Sequence, residues 1–302
     1  MPVIELREAS IGFPGAWTLG PIDLEVEQGS FWGIVGPNGS GKSTLLRSIA
    51  GLLPFVSGEC KLRGGAERRG GIAYVPQRDT LDPVFPVTAL AVVMMGLAPS
   101  LGFGRPFGPG HRKQAMTALE RVGLPHLAQT PFRQLSGGEQ QRTLIARASV
   151  ASSRVMLLDE PTAAMDVDAE RDVLALIEDM TRTEKIAVMV VSHSLTTVRA
   201  HAERAILVNR DLGLAKVGSP EDVLGAGDPC VHESFRGVRH RRDAQAGAPP
   251  ECLDPDVQGG PDEEGPGNGP GDHGSDPSHL DHKRASDERD STGSGDQEGS
   301  KP

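Results

Sequence analysis

The sequence predicts an α/β domain organised around a mainly parallel sheet. Three observations carry that prediction. Short runs such as Phe31–Val35, Val155–Leu158 and Ala187–Val191 are apolar throughout and stop at a glycine or a polar residue. Strands covered on both faces read this way, because neither face needs polar side chains. Stretches of helical spacing separate these runs, and strand alternating with helix implies parallel strands. A glycine-rich loop joins one of the runs to a helix.

In chain order, Val3–Leu6 and Ile22–Val26 read as short strands, Phe31–Val35 as a buried strand and Ser43–Gly51 as a helix. Gly71–Val75 (GIAYV) reads as the next strand. His111–Val122 and Glu139–Ala151 have helix-like spacing, and Asp166–Met180 sets Val173, Leu174, Ile177 and Met180 on one side. Val155–Leu158, Ala187–Val191 and Ala205–Val208 complete the strands. Residues from about 86 to 152 look helical with little strand signal, and read as a helical subdomain inserted into the sheet domain. The folded domain is expected to cover residues 1–242. Residues 243–302 hold 11 glycines and 8 prolines and no Phe, Trp or Tyr. Such a segment cannot bury enough apolar surface to offset its ordering entropy, so a disordered tail is expected there.

Charge divides along the same boundary. The chain of 302 residues has a net charge of −10. The tail carries 15 acidic and 4 basic residues, which leaves 26 acidic and 27 basic residues in 1–242. The folded part is therefore nearly neutral, without the clustered basic face that nucleic-acid binding requires. Three scattered cysteines, Cys60, Cys230 and Cys252, fit a reducing compartment and exclude a disulfide framework. No basic region followed by an apolar stretch opens the chain, so no signal peptide is expected. The most apolar segment, Phe85–Ala98, is interrupted by Pro86, Thr88 and Gly96, whereas a spanning helix needs ~20 residues. Any membrane-spanning part is expected on another chain.

The chemistry starts at the glycine-rich loop. Gly36, Pro37, Asn38, Gly39, Ser40, Gly41, Lys42, Ser43 and Thr44 match GxxxxGK[ST], placed after a buried strand and before a helix. The glycines let several N–H groups point inward, and those dipoles with the helix N-terminus hold the β- and γ-phosphates of ATP. Lys42 adds a positive charge, and Ser43 offers a hydroxyl to Mg²⁺. A second metal contact is expected at the end of a neighbouring strand, where Asp159 would hold Mg²⁺ through water. Glu160, one residue on, can reach a water near the γ-phosphate as general base.

Four further segments fall in the order and spacing of a known family. Leu135–Arg142 (LSGGEQQR) resembles the signature motif of ATP-binding cassette proteins, with Glu139 where many members have Gln. Tyr74–Gln77 (YVPQ) looks like the Q-loop strand end, and Val191–His193 (VSH) like the switch-histidine strand end. Glu160–Asp166 resembles the run from the catalytic glutamate into the D-loop. The resemblance covers about residues 3–224. It implies a P-loop NTPase core with a parallel sheet, an N-terminal antiparallel β subdomain and the inserted helical subdomain. It also implies a head-to-tail homodimer in which Ser136, Gly137 and Gly138 of one copy cap the ATP held by the other. Gln77 would contact Mg²⁺ and the attacking water, His193 the γ-phosphate, and Asp166 would couple the two sites. An aromatic ahead of the phosphate loop would stack on adenine; Phe13 falls at that place and Trp17 competes with it.

Residues 74–97 (YVPQRDTLDPVFPVTALAVVMMGL) resemble the corresponding stretch of zinc and manganese importer ATPases. The resemblance implies ATP hydrolysis that powers metal import through a separate permease, at the cytoplasmic face of the membrane, with a solute-binding protein as indirect partner. The alternatives are an importer ATPase for iron chelates or another small substrate, and a soluble cassette ATPase without transport. His273, His279 and His282 in the tail read as part of a solvated acidic segment.

Overall fold

The computed structural model describes residues 1–67, 71–77, 87–101, 104–163 and 165–225. The expected tail, and residues 78–86 of the importer-like stretch, lie outside the described residues. Two sheets face one another. The smaller has the order β2-β1-β4, from β1 (Pro2–Phe13), β2 (Trp17–Glu27) and β4 (Ser57–Leu62), and its pairs are antiparallel. The larger has the order β5-β6-β7-β3-β8-β9. Its members are β3 (Phe31–Val35), β5 (Ile72–Val75), β6 (Val155–Asp159), β7 (Ala187–Val191), β8 (Arg204–Asn209) and β9 (Leu214–Gly218). All its neighbours run parallel except β8 and β9.

The all-apolar runs have a direct cause. Side chains alternate between faces along a strand, and each face of the large sheet meets a different core. Val155 and Leu157 of β6, with Ala187, Met189 and Val191 of β7, join the small sheet and α1 (Lys42–Ile49). Met156, Leu158, Val188 and Val190 turn the other way, onto α4 (Gly137–Ser149) and α5 (Val167–Glu184). A third core lies among α2 (Ala89–Met95), α3 (Pro109–Arg121) and α4, built from Leu90, Val93, Leu119 and Ala146 among others. That core belongs to the helical subdomain inserted between β5 and β6. A fourth packs Val35 and Leu207 against α6 (Leu195–His201) and α7 (Pro220–Leu224).

The differences from the expected elements are physical ones. β1 and β2 extend well beyond Val3–Leu6 and Ile22–Val26, because register shifts between Leu6 and Ala9 break the two-residue alternation that would mark one continuous strand. β4 and β9 carry no apolar run at all. Both are edge strands, and β4 is largely exposed, so only scattered residues, among them Cys60 and Leu62 of β4 and Ala215 and Val217 of β9, pack against the core, too few to mark a strand. The last turn of the expected helix Ser43–Gly51 unwinds at Gly51, which takes φ 72.

Candidate nucleotide site

The parallel strands β3 and β6, with β7 between them, end on one side of the sheet, and the candidate residues project from those ends. The loop Gly36–Gly41 runs from β3 into α1. Its curl depends on glycine at two places in particular. A Cβ on Gly36 would stand 2.1 Å from Val208 O, and Gly41 takes φ 107 as the residue capping α1. Lys42 is 4% exposed, and its ammonium donates to Gly36 O and Pro37 O, both at 2.9 Å. Burial pushes its pKa down, opposed by the charges of Glu160 and Asp159.

The end of β6 supplies the acids. Asp159 is fully buried; its Oδ1 accepts from Ser43 Oγ at 2.8 Å and its Oδ2 from Tyr74 OH at 3.2 Å. Burial pushes its pKa up, while those two donors and Arg47 pull it down. Glu160 follows with φ 52, a left-handed conformation that turns its side chain away from that of Asp159. Its carboxylate is bracketed. Gln77 Nε2 donates to Oε2 at 3.0 Å, and His193 Nε2 lies 2.5 Å from Oε1. Gln77 comes from beyond β5 and His193 from beyond β7, the two strands that flank β6. The sheet order thus delivers both partners to the same carboxylate.

A cleft of about 450 Å³ gathers these groups, lined by Asn38 to Thr44, Gln77, Glu160, His193, Phe13, Trp17 and Arg210. Phe13 and Trp17 both line this cleft. They are directly paired across the β1–β2 hairpin, with ring centroids 5.9 Å apart in an edge-to-face arrangement. The sequence treats them as alternatives because it does not show the hairpin that brings them together.

Ser136, Gly137 and Gly138 do not line this cleft. They form the start of α4, where Ser136 caps the helix: its N–H donates to Glu139 Oε2 at 2.7 Å and its Oγ accepts from Glu139 N at 3.4 Å. Glu139, the residue that departs from the usual glutamine, thereby closes a capping box. The backbone donor from Ser136 holds its carboxyl below the usual range. Asp166 caps α5, its Oδ1 accepting from Ala169 N at 2.8 Å. Two contributors carry no sequence signal of their own: Arg47, beside Asp159 and Tyr74, and Arg147, whose guanidinium donates to Tyr74 O at 3.2 Å. Their signal was the contact itself.

The arrangement can be tested against Mg-ATP. Ser40 Oγ in the phosphate loop is buried and has no hydrogen-bond partner in the structure, and the loop's backbone lines the cleft. Ser43, Asp159 and Gln77 present oxygens, the donor type Mg²⁺ takes. Both groups fit the residues present.

A loop of this kind between a parallel strand and a helix, with paired acids on a neighbouring strand, defines a nucleotide-hydrolysing domain. The comparisons narrow the class. A family model described as ABC transporter matches residues 19–163. The chain is 36% identical over 208 residues to the zinc transport system ATP-binding protein TroB of Treponema pallidum, covering 68% of this chain and 78% of that protein. It is equally 36% identical over 208 residues to the manganese transport system ATP-binding protein MntB of Bacillus subtilis, covering 68% and 83%. Among solved structures, an inward-facing metal-chelate type ABC transporter aligns with a TM-score of 0.70 at 26% identity, covering 78% of this chain and 90% of that one. A dimeric post-hydrolysis state of the cassette MJ0796 bound to ADP and Pi aligns with 0.62 at 29% identity, covering 72% and 98%. The chain belongs to the ABC transporter family, as an ATP-binding subunit that hydrolyses ATP. ABC ATPase domains form dimers and pair with membrane permeases. Among the described residues no helix is long and apolar enough to cross a membrane.

Proposed function

We propose that this subunit hydrolyses Mg-ATP between two copies of itself and so powers import of zinc or manganese through a separate permease. The observation that carries the chemistry is the Glu160 carboxylate, held by Gln77 and His193 in the cleft of the phosphate loop. Gly36 to Thr44 bind the phosphates, with Lys42 as their cation. Phe13 and Trp17 face the adenine. Ser43, Asp159 and Gln77 would hold Mg²⁺, which would supply positive charge to offset that of the phosphates. Glu160 accepts a proton as the oxygen of water bonds to the γ-phosphorus and the bond to ADP breaks. His193 fixes one carboxylate oxygen and Gln77 the other, so the base is oriented before the substrate arrives.

Ser136, Gly137 and Gly138 serve the partner copy, since they open a helix N-terminus outside their own chain's cleft. Asp166 couples the two sites. The assembly sits on the cytoplasmic face of the membrane against its permease, with a solute-binding protein acting indirectly. We assign the cassette to residues 1–242, with its helical subdomain at about 86–152; residues 243–302 lie outside the described residues. The cargo rests on the zinc and manganese relatives. Uptake of radioactive zinc and manganese into cells that naturally make the chain decides it. Replacing the native chain with Glu160→Gln is expected to abolish uptake of one of the two ions. Unchanged uptake of both would overturn the cargo assignment and leave the ATPase untouched.

A further inference from the structure

We propose that Arg210 is a nucleotide-binding residue, holding Trp17 for the base and placing a second positive charge beside the phosphates. This rests on the ATP site described above and adds a residue to it. Arg210 lies far along the chain from the phosphate loop, in no motif, directly after β8. Of the lysines and arginines among the described residues, Lys42 and Arg210 line the cleft. Lys42 is already engaged by two carbonyls of its own loop.

Three observations place the guanidinium. Its carbon stands over the Trp17 ring, 5.6 Å from the centroid, within the range of a cation–π contact. Its Nη2 is 3.9 Å from where a Cβ on Gly39 would stand, so the same group borders the phosphate loop. Trp17 in turn lies against that loop, its ring edge 3.3 Å from a Cβ position on Gly41. Arg210 therefore bridges the aromatic side of the cleft and its phosphate side.

The backbone beneath it is fixed. Val208 O lies directly under Gly36, which ties the end of β8 to the start of the loop. Asn209, only 4% exposed, accepts at Oδ1 from Asp211 N at 3.0 Å and Leu212 N at 3.3 Å. Gly213 N closes the turn on Arg210 O at 3.2 Å. A long cationic side chain is thus projected from a rigid turn into the cleft. Asp211 Oδ1 lies 3.6 Å from its Nε, while Nη2 is the atom that borders Gly39.

The test is calorimetric titration of the full chain with MgADP, which binds without turnover. Arg210→Ala is expected to weaken binding about tenfold, equivalent to ~1.4 kcal/mol, within the range for a cation over an aromatic ring. Arg210→Lys, which keeps the charge but not the planar stack, is expected to fall between the two. Should the alanine variant fail to fold, Arg210→Gln carries the tenfold expectation. A folded Arg210→Ala or Arg210→Gln protein that binds MgADP within twofold of the parent overturns the proposal. Absence of MgADP binding by the parent chain would instead overturn the nucleotide site itself.

Discussion

Replacing Glu160 with glutamine is the sharpest test of the site. The carboxylate is 13% exposed and each of its oxygens already has one side-chain partner, Gln77 on one and His193 on the other. Glutamine has the same shape, so the loop and β6 keep their packing; what disappears is the capacity to accept a proton. General-base catalysis contributes ~10²–10⁴ in rate, or ~2.7–5.5 kcal/mol of barrier. The turnover number is expected to fall by that factor. Lys42 and the backbone of Gly36–Thr44 do not depend on Glu160 for their place, so ATP binding persists. Single-turnover phosphate release gives the rate, and equilibrium titration with MgATP gives the affinity. A Glu160→Gln protein that releases phosphate at the parent rate would refute the assignment of Glu160 as base. Loss of ATP binding in the same protein would refute the claim that the two functions reside in separate groups.

Removing the loop cation should act on affinity. Lys42→Ala is expected to weaken ATP binding roughly 10- to 150-fold, the ~1.5–3 kcal/mol of a hydrogen bond from a charged group; unchanged affinity in a binding titration removes Lys42 from the phosphate site. Packing beneath the loop makes a second prediction. A methyl on Gly33 would meet Val198 Cγ1 at 2.3 Å, so Gly33→Ala is expected to cost ~1–3 kcal/mol in denaturant unfolding. Val198→Ala in the same protein opens the space, and the double variant should lose less than the two singles together; strict additivity contradicts the contact. The capping box predicts a pH dependence. Glu139 is held below its ordinary 4.5 in the folded chain, so its contribution to stability is present above pH 4.5 and is lost as pH falls through the lowered value. The melting temperature of Glu139→Gln should therefore drop less steeply below pH 4.5 than that of the parent, and superimposable pH profiles would sink the argument.

The chain order of chemistry was legible without coordinates, and so was the parallel core. Gly36–Thr44 must curl around phosphate because glycine and a following helix leave it little else to do. Val155–Leu158 and Ala187–Val191 must be buried on both faces because neither carries a polar side chain. What linear pattern could not determine was adjacency across the sheet. Gln77, Glu160 and His193 are 116 positions apart at their extremes, and only the order β5-β6-β7 brings them to one carboxylate. The same holds for Phe13 beside Trp17, and for Arg210 above Trp17, whose contact depends on β8 ending beneath the phosphate loop. Edge strands β4 and β9 were invisible because each places only a few apolar side chains against the core, and backbone hydrogen bonds, which any residue can make, supply the rest. Sequence fixes which groups are available and which faces are apolar; distances between remote groups are set by strand order, which arises from the packing of the whole domain.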